Sequence, residues 1–121
     1  MAKESASTTG HFQQMYNRVN DMLRANTKAI KLEARKSTPD RDKISKIRSA
    51  RPGIHALNDE IFKAEREFAA SRLEQTKAER ALIDATHEIN SFVKSIRTIE
   101  GHLTSAGKIM TILGRLITIL H

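Results

Sequence analysis

The 121-residue chain has no cysteine and no tryptophan, one tyrosine, four phenylalanines, five glycines and two prolines. Without cysteine there is no disulfide framework, no thiol nucleophile and no cysteine-based metal site. So few aromatics and turn formers do not suit a β-sandwich or a collagen-like repeat, and an all-α fold is expected. Long apolar runs are also missing. The opening MAKESASTTG lacks the hydrophobic centre of a signal peptide. The longest apolar stretch, Ile109 to Leu120, is interrupted by Gly114 and Arg115 and falls short of the ~20 residues that span a bilayer. No transmembrane span is expected, and the chain reads as cytoplasmic or non-classically exported.

What is present is positive charge. Lys and Arg number 21 against 14 Asp and Glu, a net charge of +7. Residues 1–52 carry the entire excess, because the remainder balances at nine of each sign. The excess concentrates in Arg24, Lys28, Lys31, Arg35, Lys36, Arg41, Lys43, Lys46, Arg48 and Arg51, opposed between those limits only by Glu33, Asp40 and Asp42. These ten are the candidate contacts for an anion, and a polyanion would meet this end first.

Residues 1–10 are small and polar and read as a disordered tail, leaving 11–121 as a single helical domain. From His11 to Lys36, Phe12, Met15, Val19, Met22 and Ala29 recur at three- and four-residue intervals, which predicts an amphipathic helix over 11–36. Ser37-Thr38-Pro39-Asp40 reads as a stop and restart: Thr38 caps, Pro39 takes the first helical position, and Asp40 and Asp42 complement the dipole. A short basic helix over 39–50 follows, and Pro52-Gly53 punctuates the chain again.

The strongest pattern lies beyond. Alternate steps of four and three from Leu57 to Leu120 visit 19 positions, of which 17 are apolar, against 11 of the other 45 in that interval. A heptad stripe that holds its phase this long predicts one long helix over 54–99, kinked near Gly101 and continued by an apolar amphipathic helix over 102–120. The small row Ala64, Ser71, Ala78 and Ala85 suits close packing against the N-terminal helix. Ser71 and Gln75 are the only polar members, read either as tolerated polarity or as register-fixing groups. After Gly101, Thr104, Gly107, Thr111, Gly114 and Thr118 share a face with Lys108 and Arg115, and the opposite apolar face is broad.

Catalytic patterns are weak. Gly101 to Lys108 has one residue too many between its glycines for a phosphate-binding loop and no Ser or Thr after the lysine. Asp84, His87 and Ser91 share a helical face, but on the side away from the stripe and without a glycine elbow. Successive histidines are at least 15 residues apart, so none has the spacing of a helical metal pair. No enzymatic activity, cofactor or small-molecule substrate is expected.

The stripe carries more apolar surface than the N-terminal helix is expected to cover. The leading expectation is therefore a helical hairpin or bundle that oligomerises, a structural protein assembling as a multimer or filament. The surface assigned to self-association is Ile96, Ile99, Leu103, Ala106, Ile109, Met110, Leu113, Leu116, Ile117 and Leu120. The alternatives are a sequence-tolerant nucleic-acid-coating protein using the basic segment 24–51, and a subunit that associates with an anionic membrane through residues 102–121.

Overall fold

The computed structural model describes residues 6–121, with side chains from Thr8 onward except those of Ile99, Glu100 and His102. It is all-helical: α1 (Ala6–Ala34), α2 (Arg41–Ser49), α3 (Arg51–Ala70), α4 (Gln75–Ser95) and α5 (Ile99–Leu120). Of the expected N-terminal tail, residues 1–5 lie outside the described residues, and Ala6 to Gly10 are helix instead.

The apolar row of α1 is buried as its spacing requires, with Phe12, Met15, Val19 and Met22 all within the core. One turn further that row meets Asn26, which is also buried. Its Nδ2 donates to the carbonyl of Ile47 at 2.7 Å, so a polar residue in an apolar row holds α2 against α1. The connection between these helices differs from expectation. Asp40, not Thr38, caps α2, its side chain accepting from the Lys43 amide, and Pro39 stands outside the helix. Its carboxylate also complements the helix dipole, which a threonine hydroxyl cannot. Pro52 sits inside the first turn of α3 rather than ending anything, because that turn needs no proline N–H.

The heptad stripe does not run along one helix. It is divided among α3, α4 and α5 by breaks at residues 71–74 and 96–98. The first break falls between the stripe's two polar members, Ser71 and Gln75. Ser71 leaves the helix in extended geometry, its Oγ accepts from the Leu73 amide and donates to the Leu120 carbonyl at 2.8 Å. It thereby closes the end of α3 and satisfies an orphan carbonyl of α5 at once. The second break precedes the expected kink. Thr98 caps α5 by accepting from the Gly101 amide at 3.0 Å, so Gly101 lies within the new helix's first turn.

Four helices, α1, α3, α4 and α5, pack on one another in a bundle-like arrangement. α1 lies against α3 and α4, and α5 lies against the same two from the other side. α1 runs antiparallel to α3, as the edge-to-face pair of Phe12 and Phe68 and the bond of Tyr16 Oη to Glu65 Oε1 at 2.6 Å show. Folding the stripe back in this way buries much of it. Leu57, Ile61, Ala64, Phe68, Ala78, Leu82, Ala85, Ile89, Leu113 and Leu120 belong to one core with α1. Phe92, Ala106, Met110 and Ile117 pack on this core while only partly buried, and Ile96 and Leu103 are half-buried, so the ridge is covered in large part within its own chain.

The glycine face of α5 looks outward. A Cβ built on Gly107 or Gly114 would meet nothing within 4 Å, so neither glycine mediates close backbone approach. Their carbonyls instead accept from Thr111 and Thr118 Oγ1 at 3.0 and 2.9 Å.

Candidate anion-binding face

The ten basic residues divide by element. In α1, Arg24, Lys28 and Lys31 follow spacings of four and three, and Arg35 continues the row four residues on. At about 100° per residue all four fall within an arc of roughly 60°, along ~16 Å of axis. Arg35 lies one residue past α1 as bounded, yet its amide still bonds the Lys31 carbonyl at 3.1 Å, so the turn persists. All four are exposed. The row opposes the buried one, because Phe12, Met15, Val19, Met22 and Asn26 have claimed the inner side of the same helix.

Acidic neighbours hardly neutralise this row. Arg24 lies 3.7 Å from Asp21, whose closer partner is Arg18 at 3.0 Å. Among the described residues no carboxylate pairs with Lys28, Lys31 or Arg35. Lys36 and Lys43 are different: their ammonium groups converge on Glu33 Oε2 at 2.8 and 3.7 Å. Glu33 is 4% exposed, and its Oε1 also accepts from the Asp40 amide at 3.3 Å. The Lys36 contact holds its carboxyl below the ordinary 4.5, helped by the Asp40 amide and the charge of Lys43, against the opposing effect of burial. These two lysines fasten the α1–α2 corner.

The remaining candidates do not form one patch. Arg41 and Arg48 fall on one flank of α2 and Lys46 on the other, with buried Ile47 between. Arg51 is half-buried at the start of α3. Its Nη1 donates to the Leu23 carbonyl, Asn26 Oδ1 and Thr27 Oγ1 at 3.3, 3.0 and 2.9 Å. This guanidinium is therefore a structural tether as well as a charge. It lines a groove of about 670 Å³ with Asn20, Leu23, Arg24, Thr27, Lys28 and Lys31.

Arg97, which charge counting over 24–51 omits, joins Lys28, Lys36 and Lys43 around a second groove floored by Ala25, Ala29 and Leu32. It enters from the α4–α5 connection, and only recognising Thr98 as a helix cap would have placed it there. Asn20 and Thr27 were missed too, although a helical wheel puts them on the flank of α1 that turns toward α3.

Of the ten residues assigned to self-association, four lie inside. Ile109, Leu113, Leu116 and Leu120 are buried, while Ala106, Met110 and Ile117 are partly buried and packed on the core. Ile96 and Leu103 are half-buried, and the side chain of Ile99 lies outside the described residues. Leu103–Leu120 is long and apolar enough to cross a membrane by length and composition, with a mean hydropathy of 1.4, but its buried members face α3 and α4. The Gly101–Lys108 segment is helix, not a loop, and Asp84, His87 and Ser91 are exposed on α4. Compared with protein-family models, curated proteins and solved structures, the chain matches none, so its action has to be read from its own chemistry.

Proposed function

We propose that this chain is a non-enzymatic, sequence-tolerant binder of polyanions, contacting the phosphate backbone of nucleic acid through the exposed row of Arg24, Lys28, Lys31 and Arg35. One observation carries the reading: these four cations share one face of α1 and the turn that ends it, and among the described residues they lack close carboxylate partners, apart from the loose approach of Asp21 to Arg24. Phosphate contact needs positive charge at the right spacing and nothing more. Reading bases would need groove-inserted groups or stacking aromatics, and the single tyrosine is engaged with Glu65. Self-association through the C-terminal ridge, in coiled-coil fashion, would have to use its half-buried members Ile96, Leu103, Ala106, Met110 and Ile117, because Ile109, Leu113, Leu116 and Leu120 are buried. Membrane insertion of 102–121 would require α5 to leave the core.

The test is fluorescence anisotropy with labelled single- and double-stranded oligonucleotides of unrelated sequences. With four phosphate contacts, affinity should fall about 50- to 150-fold between 50 and 200 mM salt, from slopes of roughly −0.7 to −0.9 per contact. Replacing Arg24, Lys28, Lys31 and Arg35 by Gln should remove most of that dependence and leave the helical circular dichroism intact. No anisotropy change at the lower salt, with protein in the tens of micromolar, would end the proposal.

A further inference from the structure

The four residues of the α1 row are long, solvated side chains, each of which must be immobilised to hold a phosphate oxygen. Arg51 is not. Its Nη1 is shared among three acceptors on α1 at 2.9 to 3.3 Å, which fixes the guanidinium plane. Its Nη2 and Nε make no hydrogen bond among the described residues. The planar fork thus keeps one edge of donors in reserve, already oriented, and that side chain lines the groove between α1 and α3. Arg24, Lys28 and Lys31 line the same groove, and no carboxylate does. Asn26 completes the mounting, since its Oδ1 accepts from Arg51 while its Nδ2 holds the Ile47 carbonyl.

We infer that the α1–α3 groove is a discrete site for one phosphate group, with the free edge of Arg51 as its fixed ligand and Lys28 and Lys31 as its adaptable ones. This rests on the polyanion reading above and adds to it a point of defined geometry on an otherwise diffuse face. A guanidinium edge matches two phosphate oxygens, as an ammonium cannot. Leu23 gives the groove an apolar wall, and its volume of about 670 Å³ exceeds what a bare phosphate fills. The phosphate could belong to a nucleic-acid strand or to a free oligophosphate, because both present the same oxyanion.

Two arms separate these sources: titration of the full chain with tripolyphosphate alone, and with an oligothymidylate, each at fixed ionic strength. The readout is the Arg51 Nε–H resonance, followed in the unaltered protein, so no variant need fold for the site to be seen. A saturable shift with oligothymidylate alone assigns the site to a strand, and a shift with tripolyphosphate as well assigns it to any accessible phosphate chain. Arg51→Lys keeps the charge but loses the fork. It should weaken oligothymidylate binding about tenfold while the salt slope stays unchanged. Arg35→Gln, outside the groove, should lower the slope by about one contact's worth and leave the Arg51 shift in place. If the chain binds oligothymidylate while the Arg51 resonance stays still and Arg51→Lys binds equally well, the site is overturned and the α1 row stands. If neither probe binds at low salt, both fall.

Discussion

Asn26 and Glu33 show how single polar residues set the geometry of the basic end. Each is buried, and each is satisfied by partners from a different part of the chain. Replacing Asn26 by Ala leaves the Ile47 carbonyl with the Ala50 amide alone, at 3.2 Å, and removes an acceptor of Arg51, so the loss of two hydrogen bonds should cost about 1–3 kcal/mol in urea unfolding. Glu33 gives a pH dependence with a definite sign. Its pKa is lowered on folding, so its contribution is fully present above the ordinary 4.5 and is lost as pH falls through the folded value. Glu33→Gln should therefore narrow the difference in urea midpoint between neutral solution and acid well below pH 4.5; an unchanged difference would show that the Lys36 contact contributes nothing. The outward glycines are the opposite case. Gly107→Ala and Gly114→Ala meet open space within a helix and should each raise stability by roughly 0.5–1 kcal/mol. Gly101→Ala should give no such gain, because its Cβ would come within 3.2 Å of the capping Thr98 Oγ1 and 3.3 Å of Ile96.

Between elements, the instructive feature is a stripe that keeps its phase while the chain turns back twice. Phase alone cannot distinguish one long helix from three short ones whose connections preserve the count, because the same positions face the core either way. That most stripe positions turn toward the core was therefore legible from Leu57 to Leu120, and so was the packing of its first half with Phe12, Met15, Val19 and Met22. The turns were not. The segment 71–74 contains neither glycine nor proline, and its reversal is built from the hydroxyl and the extended backbone of Ser71. At the second break, Gly101 drew attention away from Thr98, which does the capping. In the candidate site the α1 row was legible because it follows helical spacing within one element. Arg97 and the engagement of Arg51 were not, since both depend on contacts between distant segments. Spin labels at Glu88→Cys and Arg115→Cys decide between the two arrangements: these residues form an ion pair of 3.0 Å, whereas 27 residues of unbroken helix would separate them by roughly 40 Å. A short distance is expected; the long one would restore the single helix.

At the scale of the molecule, a self-covering core and a charged exterior go together. The chain packs much of its apolar ridge between α1, α3, α4 and α5 and leaves Leu32, Phe62, Leu73, Ile83 and Ile119 exposed. Light scattering should accordingly give the monomer mass of 13.6 kDa at tens of micromolar. What remains outward is a net charge of +7, gathered toward the end of α1. The most direct test of that assignment is a residue-resolved amide NMR titration with a short oligonucleotide at low salt. Shifts clustered along the 24–35 face of α1 and at the start of α3 are expected, fading together as salt is raised. Shifts centred on α5, or none at all, would contradict it.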